Sequence, residues 1–250
     1  MRVVDVPASS GLTWIKLAWT NHFKRAPLAW IGLVAMWSIS GLLIFLTLRE
    51  PGLFVFSILQ PTFFAGFMAA CRDQDNGGSP QLSHLFQGFR RNFRSLLLVA
   101  WLGLLLQMVL ILLFSAIGLQ PTVPPPDIQA QPTDQAVLMK FLSDNAVFLI
   151  ASLAGMIFIN ALLWFAPVLI AMHDMKTSHA VRWSIFALLS NFGAMLVFGI
   201  TMMLIVLLAM MTSGLGMIVV MPILVICIYT AYKSMFVEDG PAGPPPPDNP

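Results

Sequence analysis

The chain has 250 residues, of which 58% are hydrophobic and only 10% charged, with a mean hydropathy of +0.84, whereas a soluble domain carries about 25% charged residues. This excludes a soluble globular protein, and a net charge of +2 is too small to imply a nucleic-acid partner, so what matters is where the positive charges sit. The two cysteines, Cys71 and Cys227, fall near span ends expected in the cytoplasm, where a disulfide is not expected.

In chain order, the first ten residues are not an apolar core, so no cleavable signal is expected. Ser9 or Ser10 can cap a helix that starts at Gly11 or Leu12. Leu12, Ile15, Trp19 and Phe23 share one side of it, with Thr13, Lys16, Thr20 and Lys24 elsewhere, the pattern of an interfacial helix. Pro27 opens a first span to about Leu48, with Lys24 and Arg25 at its entrance and Arg49, Glu50 and Pro51 at the turn that follows. A second span runs from about Gly52 to Cys71 and contains Pro61, which removes one backbone donor and leaves the Ser57 carbonyl without its usual partner. The segment RDQDNGGSP reads as a loop, and Ser79 followed by Pro80 signals a helix start.

The stretch Gln81 to Leu104 joins an amphipathic segment to a span through a cluster of arginines. Leu82, Leu85, Phe86, Phe89 and Phe93 recur at helical spacing, while Ser83, His84, Gln87, Arg90, Arg91 and Asn92 fill the other side, as in a helix lying in the headgroup layer. From Ser95 the pattern is almost continuously apolar, giving a third span to about Ile117, enough to cross roughly 30 Å at about 1.5 Å per residue. Residues 119–134 hold five prolines and read as an extended part of an outer loop at about 118–144. A short helix from Gln135 leads to a fourth span, about Ala146 to Met172, with Pro167 near its inner end. A third amphipathic segment runs from Thr177 or Ser178 to Phe192, with Val181, Ile185, Leu188 and Phe192 on one face and Arg182 off it. Two further spans fit between about Gly193 and Ala231, turning near Thr212 to Gly216, and the second contains Pro222. The tail 237–250 is disordered by composition, leaving residues 1–236 as a single six-span membrane domain.

Three junctions align: NHFKRAPLAWIGL, RNFRSLLLVAWLGL and SNFGAMLVFGI, with Phe23, Phe93 and Phe192 at one position. Pro61, Pro167 and Pro222, all helix-kink candidates, then fall in the second span of each unit. The expected fold is all-α and polytopic, with six transmembrane helices in three pseudo-repeats, each an amphipathic interfacial helix plus a helix pair. Starting inside, eleven Lys and Arg residues face the cytoplasm against two, Arg49 and Lys140, outside. The positive-inside rule then places both termini in the cytoplasm, and a bacterial inner membrane fits best.

The arginines Arg90, Arg91 and Arg94 suit anionic phospholipid headgroups or an acidic partner, because guanidinium forks bind phosphate bidentately, and the same holds for Lys24, Arg25 and Arg182. Topology control alone is the plainer use of such charges. His22, His84, His173 and His179 lack the i, i+4 spacing of a helical metal clamp, and the scattered methionines of the last spans read as packing, so no metal or cofactor is expected. No Asp, Glu, Lys, Arg or His falls inside any predicted span, which counts against ion-coupled transport and intramembrane hydrolysis. Among the few polar residues there, Asn160 with Trp164 and Pro167 would line a cavity, or Asn160 would make an interhelical hydrogen bond. Small-residue pairs, Ala65 with Ala69, Gly66 with Ala70 and Ala151 with Gly155, point to close intramolecular packing of the second and fourth spans, a dimer face being the alternative.

The segments QPTFFAGFMAACRD, LSHLFQGFRRNF and WFAPVLIAMHDM resemble a family of six-span inner-membrane proteins of unassigned function from beta-proteobacteria and related Gram-negatives. More distantly, they look like the membrane domains attached to some glycerophosphodiester phosphodiesterases, whose catalytic domain has no counterpart here. The resemblance implies fold and location but no activity. The expectation is a non-enzymatic membrane protein whose cytoplasmic face engages lipids, anionic ones in particular, or a membrane partner or second copy of itself. One alternative is a small uncoupled transporter or channel; another is a lipid-modifying enzyme, which would need His84, Asp174 and His179 to meet within hydrogen-bond reach.

Overall fold

A computed structural model describes residues 2–122 and 135–237; the proline-rich centre of the expected outer loop and the tail from 238 lie outside the described residues. Among the described residues, six helical stretches are long and apolar enough to cross a membrane, so the chain is an all-α polytopic membrane protein. In chain order the elements are β1 (Arg2–Val3), α1 (Ser10–Leu17), α2 (Pro27–Leu48), α3 (Glu50–Asp75), a 3-10 turn (Leu82–Phe86), α4 (Gln87–Arg90) and α5 (Phe93–Ala116). Then follow α6 (Gln135–Asp144), α7 (Ala146–Leu163), α8 (Ala166–His173), α9 (Thr177–Ser190), α10 (Phe192–Met211), α11 (Met217–Met235) and β2 (Phe236–Val237). The proline that opens α2 sits where a helix has no use for an N–H. Glu50 and Pro51 begin α3, which continues through Arg72 to Asp75, one turn beyond the expected end at Cys71. RDQD is therefore helical, and the turn starts only at Asn76 and Gly77, the latter with φ of +86°.

The chain divides into two compact units, the smaller being Trp101–Leu162. Within it, Gly155 of α7 faces Leu110 of α5 so closely that a Cβ would lie 2.3 Å from the leucine methyl. Buried Asn145, between α6 and α7, accepts from the Thr122 amide at 2.7 Å and donates to the Thr122 hydroxyl and the Phe141 carbonyl, each at 2.8 Å. Asn160 is exposed and donates to the Met156 carbonyl of its own helix at 2.8 Å; among the described residues it makes no interhelical side-chain hydrogen bond.

The larger unit comprises the residues up to Ala100 and from Leu163 onward. Its core is formed by the proline-bearing second spans, with Phe63, Phe67, Met68 and Cys71 of α3, Val168 to Ile170 of α8, and Ile226, Cys227 and Met235 of α11 all buried. Pro61 and Pro222 lie within continuous helices. At Pro167 the chain breaks: Trp164 and Phe165 form a turn, α8 begins at Ala166, and the Phe165 amide donates to Ser184 Oγ of α9 at 3.0 Å.

The short polar-side elements differ from the expected interfacial helices because each is packed into the protein along a face that mixes small residues with a few large ones. In α1 the covered residues are Gly11, Trp14 and then Ala18, while Leu12 and Trp19 are exposed. A Cβ on Gly11 would sit 2.5 Å from the Ala194 carbonyl oxygen of α10, so bulky residues cannot form that contact. In α9 the buried set is Ala180, Ser184, Ala187 and Leu188, with Phe192, beyond its end, exposed. The segment 82–93 is not one helix. It is a 3-10 turn, a single α-turn and a break at Arg91 and Asn92, Asn92 having φ of +59°. Each of these elements packs against spans of the larger unit: 82–90 on α3, α9 on α8, and α1 on α10 and α11. A closure comes from antiparallel pairing of Arg2 with Val237 and Val3 with Phe236. Asn191 holds the same N-terminal strand, accepting from the Val6 amide at 2.8 Å and donating to the Val4 carbonyl at 3.2 Å.

Candidate functional site

At one end of the larger unit the helix termini that carry charge converge, and two carboxylates organise them. Asp75, in the last turn of α3, accepts from Tyr229 Oη at 2.9 Å and Lys233 Nζ at 2.6 Å, both through Oδ2. Its other oxygen lies 3.6 Å from His22 Nε2. Gln74 adjoins it and is buried. The Trp30 indole N–H can only donate, so the atom it meets at 3.1 Å is the Gln74 carbonyl oxygen. Gln74 Nε2 then donates to the His22 main-chain carbonyl at 3.0 Å. The His22 Nδ1 that meets the same Gln74 oxygen at 3.1 Å must carry a hydrogen. The geometry thus fixes the tautomer and leaves Nε2, facing Asp75, as the nitrogen that titrates. Burial pushes the His22 imidazole below its ordinary value near 6.5, outweighing the raising effects of the Asp75 carboxylate and the Gln74 hydrogen bond, while Lys233 and Arg25 add to the lowering.

The second carboxylate is Asp174, which follows α8 in a left-handed conformation with φ of +51°. It accepts from Arg91 Nη2 at 3.2 Å and from Asn92 Nδ2 at 2.6 Å, and Asn92 Nδ2 also reaches the Ile170 carbonyl at 3.1 Å. Thr177 Oγ1 donates to the Ser95 carbonyl at 3.0 Å, a second tie between the start of α5 and the α8–α9 junction. His173 and Tyr232 share a hydrogen bond between α8 and α11.

The arginine cluster is therefore divided. Arg91 is committed to Asp174, whereas Arg90 and Arg94 stand exposed, as do Lys24, Arg25 and Arg182. Among the described residues these five cations make no hydrogen bond or ion pair. His84, Asp174 and His179 have separate surroundings. His84 Nδ1 accepts from the Gln81 amide at 2.9 Å and its Nε2 lies 3.7 Å from Asp73, Asp174 holds Arg91 and Asn92, and His179 stands exposed on α9. Among the described residues no hydrogen bond or ion pair joins any two of the three. Among those residues there is also no cluster of three or more His, Cys, Asp or Glu able to hold a metal ion.

Sequence reasoning missed Gln74, Asp75, Tyr229 and Lys233 as one group, along with Asn92 and Asn191 as tethers. The available signal was the absence of a helix breaker between Cys71 and Asp75, which extends α3 and puts Gln74 and Asp75 on its last turn.

No protein-family model matches the chain, and no solved structure matches it. A probable inner membrane protein of Burkholderia thailandensis is 27% identical over 220 residues, spanning 80% of this chain and 74% of that protein. Its designation agrees with the multi-pass architecture and carries no activity.

Proposed function

We propose that the chain is a non-enzymatic, multi-pass protein of a bacterial inner membrane, with both termini cytoplasmic, that engages anionic phospholipid headgroups at the charged end of its larger unit. The observation that carries this reading is the division among the cations: Arg91 and Lys233 serve carboxylates of the fold, while Lys24, Arg25, Arg90, Arg94 and Arg182 remain exposed without a partner among the described residues. An anionic leaflet attracts such residues, and guanidinium groups match phosphate geometry. The positive-inside rule assigns this end to the cytoplasm. The separate surroundings of His84, Asp174 and His179 favour a non-catalytic role over a lipid-modifying one. The internal hydrogen bond of Asn160 weighs against a polar transport pathway built around it.

The test is native mass spectrometry of the protein in nanodiscs excised from its own membrane, comparing wild type with an Arg90→Gln, Arg94→Gln variant whose Arg91 is kept. A reporter fused at the C-terminus verifies that orientation is unchanged. Retained phosphatidylglycerol or cardiolipin in the wild type, lost in the variant, is the expected outcome. Equal anionic lipid in both would overturn the headgroup reading and leave these arginines as topology determinants, with a co-purifying membrane protein or a second copy as the next partner to seek.

A further inference from the structure

The two oxygens of Asp75 are used unequally. Oδ2 accepts from both Tyr229 Oη and Lys233 Nζ, whereas the nearest partner of Oδ1 among the described residues is His22 Nε2, at 3.6 Å. That distance is too long for a hydrogen bond. With the ring hydrogen on Nδ1, Nε2 presents a lone pair to an ionised carboxylate, which has nothing to donate. A proton on Nε2 would turn the gap into a charge-assisted hydrogen bond. His22 is presented by a π-helical turn, Ala18–His22, followed by a 3-10 turn, Phe23–Arg25, and short π-helical stretches recur at functional sites.

Charged and titratable groups face His22 from each element around it. Arg25 comes from its own segment, Gln74 and Asp75 from α3, and Tyr229 and Lys233 from α11, while the Trp30 indole of α2 shares the Gln74 oxygen. Tyr229 lies against both basic groups: its ring is perpendicular to the imidazole with centroids 5.6 Å apart, and Lys233 Nζ is 5.8 Å from its centroid. While His22 is neutral, Asp75 and Lys233 balance each other. Protonation adds a positive charge at a residue that is 3% exposed, where water screens it poorly. Lys233, on the same carboxylate and 55% exposed, is where an outside counter-charge reaches the group.

We propose that His22 couples proton uptake to anionic headgroup contact at Lys233: the proton on Nε2 draws Asp75 toward His22, Lys233 turns to a lipid phosphate, and the phosphate in turn favours the proton. The proposal rests on the anionic-lipid reading above and adds to it a cation whose availability is regulated. Lys233 lies in the last turn of span α11, the level at which headgroups meet a spanning helix. Such coupling is reciprocal, so the factor by which the proton tightens headgroup contact equals the factor by which the headgroup tightens proton binding.

The test places the full-length protein, with isotope-labelled histidine rings, in nanodiscs of phosphatidylcholine alone or with a minority of phosphatidylglycerol. Each ring is titrated by NMR, His22 being assigned from its absence in His22→Gln. An anionic surface raises the proton affinity of every histidine near it, and exposed His179 reports that common part. The expected result is a gain in proton affinity at His22 about fivefold beyond that at His179, lost in Lys233→Gln and kept in Lys233→Arg. The coupling is overturned if His22 moves only as His179 does, takes no proton in the anionic bilayer down to about pH 5, or keeps its excess in Lys233→Gln. A gain produced in phosphatidylcholine by inorganic phosphate and not by phosphatidylglycerol overturns the lipid as its source. Should Lys233→Gln fold poorly, native mass spectra read the reciprocal arm: the wild type retains more phosphatidylglycerol well below pH 6.5 than above it, and His22→Gln does not. Equal retention by the wild type at both pH values overturns the coupling. If the coupling is absent while Arg90→Gln, Arg94→Gln still loses retained lipid, the broader reading stands and this inference does not. If the wild type retains no anionic lipid at either pH, both are overturned.

Discussion

The central spans α3 and α11 and the peripheral spans α2 and α10 answer to different rules. The central pair bury 44% and 56% of their membrane-length stretches, against 6% for α2 and 22% for α10, although the central helices are the less apolar. In water the more apolar helix would be driven inward. Lipid tails are as apolar as leucine, so burial goes instead to the helices whose small residues permit close approach and whose polar groups need partners. Ala65, Gly66, Ala69 and Ala70 supply the first property in α3, while Gln74, Asp75, Tyr229 and Thr230 supply the second in α3 and α11.

The comparison breaks most decisively at Gly88, where a Cβ would lie 2.2 Å from the Thr62 carbonyl oxygen of α3. Both sides of that contact are backbone, so Gly88→Val is expected to cost about 3 kcal/mol. Leu42→Ala on the exposed side of α2 is expected to stay within about 0.5 kcal/mol. Thermal or denaturant unfolding of the purified proteins in one mild detergent measures both, and equal effects would remove the distinction between central and peripheral helices. Next in size is Gln74→Leu, which strips the Trp30 indole and the His22 Nδ1–H of their shared acceptor. A buried donor left unsatisfied costs about 1–3 kcal/mol, and the same unfolding assay should report about 2 kcal/mol.

Those span boundaries that depend on local features were legible: Pro27 at a helix start, Leu48 before the charged Arg49 and Glu50, and the Thr212 to Gly216 turn appear where expected, whereas the end of α3 and the break at Trp164 and Phe165 do not. The buried faces of α1 and α9 were legible only in part. Apolar periodicity points to Leu12, Ile15, Trp19 and Phe23 and to Val181, Ile185, Leu188 and Phe192; Phe23 and Leu188 are buried, but Leu12, Trp19 and Phe192 are exposed, and Gly11, Trp14, Ala18, Ala180, Ser184 and Ala187 make the contact surfaces. In a membrane the bulky apolar side can face lipid at no loss, so periodicity marks a face without saying what covers it. The candidate site was legible as a set of cations and not as a division among them. Which arginine meets Asp174 depends on the left-handed turn at Asn92 and on pairing across more than eighty residues of sequence.

A pH titration sharpens the contrast at His22, which is 3% exposed. Because burial lowers its pKa from about 6.5, folded and unfolded states are both neutral there at higher pH, and stability is then fully present. As pH falls through 6.5 the unfolded chain takes the proton first, so stability drops until the lower folded-state value is reached. The unfolding midpoint of the wild type should therefore decline below pH 6.5. His22→Gln should flatten that part of the profile, whereas a change at exposed Phe192 of α10 should leave it unaltered. A wild-type profile that is flat, or that rises on acidification, would mean that the Asp75 carboxylate dominates over burial.

The smallest expected effect lies at Arg91, and it separates structural cations from available ones. The Arg91–Asp174 pair spans 3.2 Å between side chains that are 63% and 57% exposed. Screening by water limits such a pair to about 0–1 kcal/mol, and Asn92 continues to hold Asp174 when the arginine is gone. Arg91→Gln should thus lower unfolding stability by less than about 1 kcal/mol, with little change in the anionic lipid retained in nanodiscs. Arg90→Gln, Arg94→Gln should show the reverse: unfolding unchanged and retained lipid reduced. If Arg91→Gln instead loses as much lipid as the double variant, the ion pair with Asp174 opens in the membrane, and the division among neighbouring arginines does not govern headgroup contact.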